Sequence, residues 1–268
     1  VSTAKVALPW INLTILGALA GAYIGFGAAM ATLVASDAGQ YVGFGLTKLL
    51  CGLVFSVGLI LVVIAGAELF TGNSLMITGV LGGQIGVRGM LARWTGVYVS
   101  NFLGSVLLAG MMFGSALWMA NDMSVGMTAV KIAHTKVNLT LAAAFFRGIG
   151  CNWLVCLAVW MSLSARETAG KILAIVPPIT AFVALGYEHC VANMYFIPFG
   201  LFLKNTAAGA AATAAGLDLS SLTWGSFVLD NLLPVTVGNI VGGGLFVGAV
   251  YWAAYLRKAM KKGQPAQS

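Results

Sequence analysis

The sequence predicts an all-α integral membrane protein: six membrane-crossing helices in two inverted three-helix repeats, with the second and fifth helices broken. Three observations predict it. Charged residues make up 8% of the 268 and hydrophobic residues 60%, where soluble domains carry about 25% charged. Such a chain cannot cover a water-facing surface with polar groups. The apolar runs are far longer than a barrel strand needs, so the spans are helices. Finally, two polar interruptions share the frame Gly-x-Glu-x-x-x-x-Asn. They are Gly66-Ala67-Glu68-Leu69-Phe70-Thr71-Gly72-Asn73 and Gly186-Tyr187-Glu188-His189-Cys190-Val191-Ala192-Asn193. Each ends a long apolar run and precedes a shorter one, the pattern of an internal duplication. An acid at membrane depth is costly and usually retained for function.

The first span runs from about Trp10 to Val34, with Gly17, Gly21 and Gly25 forming a smooth face for close packing. Asp37 to Gly45 reads as a polar turn. The second span, about Leu46 to Ala67, meets the first interruption. Ser74 to Leu81 is too short to cross about 30 Å at roughly 1.5 Å per residue, and reads as a half-helix. Gly82 to Arg93 is a Gly-rich basic loop before the third span, about Trp94 to Met119. Ala120 to Asn138 is a polar segment, and the fourth span covers about Leu139 to Leu163. The fifth, about Ile172 to Gly186, carries Pro177-Pro178 in its first turns, where proline is tolerated. Val191 to Leu203 is a second short apolar piece, and Lys204 to Thr223 a small-residue loop. The last span runs from about Trp224 to Leu256 and ends in a basic tail with Arg257, Lys258, Lys261 and Lys262.

Residues 1–268 thus form one transmembrane domain, with repeat one at about 10–119 and repeat two at about 139–258. Asn101-x-x-Gly104 echoed by Asn239-x-x-Gly242 supports the division. Three helices per copy require the second copy to be inverted.

Charge sorts by side. Lys5, Arg88, Arg93, Arg166, Lys171 and the four tail cations fall on one side, with Lys48, Lys131, Lys136 and Lys204 on the other. The excess places both termini in the cytoplasm. Arg147 lies within span four near its outer end. The net charge of +7 is scattered over span ends, so it indicates orientation and excludes a nucleic-acid surface. No signal peptide is evident. Cys51, Cys151, Cys156 and Cys190 lie in or beside apolar segments without a Cys-x-x-Cys pair, so they read as packing residues. No metal cluster, cofactor motif or catalytic constellation is present in the sequence.

Broken helices put half-helix N-termini, with free N–H groups and partial positive charge, near the midplane. Such ends suit an anion or polar solute. Glu68 and Glu188, with Asn73 and Asn193 closing each frame, read as acceptors for the exposed amides at their own breaks; proton relay is the alternative. His189 stands at a break and can switch charge at physiological pH. Asn152 and Asn239 are buried amides that either bond neighbouring helices or line a route. Lys136 either snorkels or draws anions to a mouth.

Several stretches carry a family resemblance. They are Gly66 to Asn73, His134-Thr-Lys136-Val, Cys151-Asn-Trp-Leu-Val-Cys-Leu-Ala-Val-Trp160, Gly186 to Asn193, and Asp230 through Pro234 and Asn239 to Gly244. In this order the chain resembles the formate/nitrite transporter family. The resemblance implies an aquaporin-like fold in a bacterial or archaeal plasma membrane, assembled as a homopentamer with one pathway per protomer. It implies passage of small monovalent weak-acid anions: formate, nitrite, hydrosulfide or short carboxylates, with formate favoured by the Asp230 to Gly244 stretch, while Cys151 to Trp160 is as similar to nitrite channels. By matching motif, Thr71 and His189 correspond to the polar groups of a central chamber, and Asn152 and Asn239 to lining amides. Leu59, Leu69 and Val155 correspond to a cytoplasmic constriction, Phe55 and Phe182 to a periplasmic one, and Lys136 to a positive residue beside the route. The family also begins with an amphipathic N-terminal helix, against which only Val1 to Leu8 precede span one here.

The expected mechanism is passive or proton-linked flux, because a bare anion crosses apolar rings poorly and protonation lowers the desolvation cost. Two other classes compete. A neutral-solute pore fits the repeat plan but lacks paired Asn-Pro-Ala boxes. A non-transporting scaffold or sensor leaves two buried acids and a histidine at helix breaks unexplained.

Overall fold

A computed structural model describes residues 2–257. The regular structure among the described residues is all helical, without strands. Five helices are long and apolar enough to cross a membrane: Trp10–Ala35, Gly39–Ala65, Val87–Gly114, Leu141–Ser164 and Trp224–Leu256. Phe70–Leu81, Thr168–Ala184 and Cys190–Leu203 are shorter apolar helices. We number the helices α1 (Ser2–Ala7), α2 (Trp10–Ala35), α3 (Gly39–Ala65), α4 (Phe70–Leu81), α5 (Val87–Gly114), α6 (Ser124–Val137), α7 (Leu141–Ser164), α8 (Thr168–Ala184), α9 (Cys190–Leu203), α10 (Ala207–Ala214) and α11 (Trp224–Leu256). The tail cations Lys258, Lys261 and Lys262, and the end of repeat two at 258, lie outside the described residues.

Small residues set the close approaches. A Cβ on Gly21 would stand 2.0 Å from the Asn101 carbonyl oxygen, and one on Gly104 1.8 Å from that of Ala18. The backbones of α2 and α5 therefore touch where the Gly17, Gly21, Gly25 series was expected to pack. Gly238 and Gly242 do the same for α11 against α7, meeting the carbonyls of Phe145 and Ile149. α2 packs on α3 and α5, α8 on α3 and α7, and α9 on α5 and α6. Outward positions such as Leu103, Leu107 and Met111 on α5 are exposed leucine and methionine, as a lipid-facing surface requires.

Several sequence expectations change. Asp37 to Gly45 is mostly helical rather than a turn: α3 starts at Gly39 and is interrupted at Gly43, whose φ is 71°. The Gly82 to Arg93 loop ends early, since α5 begins at Val87. The polar segment Ala120 to Asn138 contains the helix α6, which buries Gly126, Ala129, Val130 and Ala133. The Lys204 to Thr223 loop contains the helix α10. α8 starts at Thr168, so Pro177 and Pro178 sit mid-helix and not in the first turns. At 17 residues α8 is short for a full crossing. The half-helix after the first interruption begins at Phe70, not Ser74.

Candidate functional site

Both interruptions are built alike. Gly66 (φ 82°) and Gly186 (φ 74°) turn the chain out of α3 and past the end of α8 in the left-handed conformation that side chains resist. Non-helical backbone follows, and new helices start at Phe70 and Cys190. The freed backbone groups are satisfied in parallel. The Glu68 N–H donates to the Leu16 carbonyl and the Glu188 N–H to the Arg147 carbonyl, each at 3.2 Å. The Phe70 N–H donates to Asn101 Oδ1, and the Cys190 N–H to Asn239 Oδ1, each at 2.9 Å. Asn101 Nδ2 donates to the carbonyls of Gly17 (2.8 Å) and Glu68 (2.9 Å). Asn239 Nδ2 donates to those of Gly148 (2.8 Å) and Glu188 (2.9 Å). The faint Asn-x-x-Gly echo is therefore a backbone clamp at each break.

This corrects the expectation for the two acids, whose side chains take no backbone amide. Glu68 accepts from Lys5 Nζ at 2.7 and 2.8 Å and from Asn73 Nδ2 at 2.9 Å. Glu188 accepts from Lys136 Nζ at 2.8 and 3.0 Å and from Asn193 Nδ2 at 2.7 Å. Asparagine clamps have already taken the first amides of α4 and α9, so the acids are free to hold lysines. The first of the half-helix amides expected to be unpaired is thus occupied at each break. Sequence reading missed Asn231, whose Nδ2 donates to the Lys136 carbonyl at 2.9 Å and whose Oδ1 accepts from Asn193 Nδ2 at 2.7 Å. It also missed Lys5 as a partner and Asn101 as a clamp. Only the Asn101/Asn239 echo signalled any of these.

Of the five positions at which the two frames differ, two put a polar side chain in one copy opposite an aliphatic one in the other at the core. Where the first has Leu69, the second has His189; where the first has Thr71, the second has Val191. His189 Nδ1 accepts from the Ala192 N–H at 3.0 Å, capping α9. The neutral ring therefore carries its proton on Nε2, which lies 3.0 Å from Thr71 Oγ1. Thr71 accepts that proton and keeps its own hydroxyl hydrogen to give. A second proton on His189 would cost the cap. The Thr71 carbonyl is held by Asn152 Nδ2 at 3.2 Å and by the Cys156 thiol at 3.3 Å. Asn152 Nδ2 also donates to the Asn239 carbonyl at 2.6 Å. Every polar side-chain atom of Asn239 is bonded to backbone.

Two cavities approach this core. One, of about 600 Å³, is lined by Lys48, Lys131, Lys136 and Arg147 and has Phe55, Phe182 and His189 in its wall. The other, of about 250 Å³, is lined by Lys5 and Glu68 with Leu59, Leu69 and Gly72. Phe55 and Phe182 meet edge to face with centroids 5.5 Å apart. Leu59, Leu69 and Val155 are buried, as are Thr71 and His189. One face of α3 runs past both cavities: Lys48, Cys51 and Phe55 line the first, and Leu59 and Val62 the second. The structure thus brings Thr71, His189, Asn152 and Asn239 into one bonded cluster, with Lys136 joined to it through Glu188.

Known proteins resemble this chain in sequence and fold. A family profile described as formate/nitrite transporter matches residues 1–253. A probable formate transporter of Methanothermobacter thermautotrophicus is 42% identical over 270 residues, covering 95% of this chain and 92% of its own. The formate channel FocA of Escherichia coli (strain K12) is 41% identical, covering 80% of this chain and 76% of its own. Among solved structures, a pentameric formate channel with formate bound superposes with a TM-score of 0.84 at 39% identity, covering 92% of this chain and 98% of that one. An ion channel of the same family gives 0.80 at 33% identity, covering 94% of this chain and 95% of that one. On this match, spanning nearly the whole chain, the protein belongs to the formate/nitrite transporter family.

Proposed function

We propose that the chain conducts small monovalent weak-acid anions, formate first, along the α3 face that joins the two cavities. That continuous face, with the Thr71–His189 pair beside it, carries the reading. The relatives' names supply the substrate: two are formate channels or transporters and one solved neighbour holds formate.

Lys136 and its neighbours gather the anion at one mouth. Phe55 and Phe182 form the constriction on that side, and Leu59, Leu69 and Val155 the constriction on the other. Between them the Thr71 hydroxyl, oriented by His189 Nε2–H, donates to the anion, and flux is passive or proton-linked. Asn152 and Asn239 serve as positioning groups, since their amides hold the Thr71 carbonyl and the second break. Glu68, Glu188, Asn73 and Asn193 hold the breaks through the two lysines.

The matched clamps favour two copies of one unit related by inversion, the aquaporin-like plan. Lys5 then pairs with Lys136, which extends each copy N-terminally from the sequence boundaries at 10 and 139. The basic excess puts the Lys5 mouth in the cytoplasm of a bacterial or archaeal cell, the Lys136 mouth outside, and both termini inside. The pentameric neighbour supports a homopentamer with one route per protomer. The test is a side-by-side proteoliposome flux assay of formate, nitrite, hydrosulfide and acetate. Formate moving at least as fast as the others supports the reading. Faster nitrite or hydrosulfide reassigns the substrate, and water or glycerol flux without anion flux overturns the anion pathway.

A further inference from the structure

The cavity at the Lys136 mouth is larger than a one-carbon anion requires. Its 600 Å³ is room for about 20 waters and lies within the range of sites for drug-sized ligands. Its charge is unbalanced. Lys48, Lys131, Lys136 and Arg147 line it, against one lining carboxylate, Glu188. That carboxylate is bonded to Lys136. Among the described residues Lys48, Lys131 and Arg147 have no carboxylate partner. Lys48 rests over the Phe44 ring, 5.5 Å from its centroid.

The shape of the lining adds a second constraint. α6 presents Thr128, Lys131, Ile132, Thr135 and Lys136 to the cavity, one face at helical spacing. Much of the remaining wall is aromatic, with Phe44, Tyr187 and Phe196. At the constriction, the packed Phe55 and Phe182 rings are only 2% and 3% exposed. Surplus positive charge draws anions of any size, but only small ones pass packed rings.

We propose that this mouth is a binding site for organic dianions with a flat apolar body, which it holds against the aromatic wall and cannot pass. The two acidic groups of such a ligand meet Lys131 and Arg147, Lys48 adds to the positive field, and its ring lies on the phenylalanines. Bound there, it blocks entry of small anions from that side. The blocking half of the proposal rests on this mouth belonging to the conducting route; the binding half does not.

Naphthalene-1,5-disulfonate is the probe, with the neutral disulfonamide as control. Calorimetric titration of the purified full-length protein in lipid nanodiscs should show saturable binding of the disulfonate and none of the control. Lys131→Gln and Arg147→Gln should each weaken binding at least tenfold, Lys131→Arg should restore it, and added salt should raise Kd. In proteoliposomes the probe should inhibit formate flux when added on the Lys136 side and not on the other. Absence of saturable binding, or equal binding by wild type and both glutamine variants, overturns the site. Charge-dependent binding that leaves a measurable formate flux untouched overturns the block and takes this mouth off the route. Wild-type protein that binds the probe but moves no formate upholds the site and sinks the proposed function instead.

Discussion

Replacing Lys136 with methionine removes the ammonium that donates to both oxygens of Glu188. The carboxylate is buried, with a side chain 6% exposed, and would keep only asparagine donors. Removing one partner of a buried pair costs about 3–5 kcal/mol, because the remaining charge is uncompensated. Glu188→Gln is the milder change. Its amide still reaches Asn193 and Asn231, and Lys136 lines the large cavity, where water can solvate it; a cost of about 1–2 kcal/mol follows. The double variant removes both charges and should stand within about 2 kcal/mol of wild type, since neutral replacement of a buried pair is often tolerated. The coupling is then at least about 2 kcal/mol and up to about 5 kcal/mol, with Lys136→Met the worst of the three. Unfolding of the purified protein in detergent, followed by tryptophan fluorescence across all four members of the cycle, measures it. Additive costs, or a Lys136→Met cost below about 1 kcal/mol as for an exposed pair, would refute the account of how the second break is held.

The clamp asparagines should behave as equivalents. Asn101→Ala and Asn239→Ala each strand one buried N–H and two carbonyls, so each should lose about 3 kcal/mol or more in the same unfolding assay. A large difference between them would argue against two matched breaks. Gly104→Ala should destroy the fold or its yield, since its Cβ would lie 1.8 Å from the Ala18 oxygen, whereas Gly45→Ala meets nothing within 4 Å and should shift stability by no more than about 1 kcal/mol. At the core, Thr71→Ser keeps the hydroxyl facing His189 and should retain most formate flux; Thr71→Val should lower flux at least tenfold while costing only about 1 kcal/mol of stability. Equal flux through the serine and valine variants would remove the hydroxyl from the mechanism.

Much of this architecture is legible before any coordinates, because lipid imposes simple constraints. Apolar runs must be helices, and a repeated polar frame inside them must be a break. What the frame alone does not reveal is who satisfies the broken backbone. Glu68 and Glu188 are the strongest hydrogen-bond acceptors nearby in sequence, and so look like the answer. The amides are instead taken by Asn101 and Asn239, more than 30 residues away. A clamp reaching across the bundle leaves only a weak mark in the linear sequence. The helix α6 is hidden for a different reason. Its lysines and threonines lower its hydropathy, yet they occupy one face, while Gly126, Ala129, Val130 and Ala133 on the other face are buried. Small-residue spacing was the available signal, and hydropathy obscured it. The prolines of α8 look like N-terminal residues only because the apolar run starts later than the helix does.

Two of the positions where the copies disagree, Leu69 against His189 and Thr71 against Val191, hold the chemistry that their agreement frames. Formate uptake by proteoliposomes containing wild-type or His189→Ala protein, followed over a range of pH, tests that claim most directly. The account predicts formate equilibration by wild type well above empty liposomes, and a His189→Ala protein that assembles but conducts at least tenfold more slowly at every pH. Wild-type flux no faster than empty liposomes, or a His189→Ala protein with an unchanged rate, would contradict it.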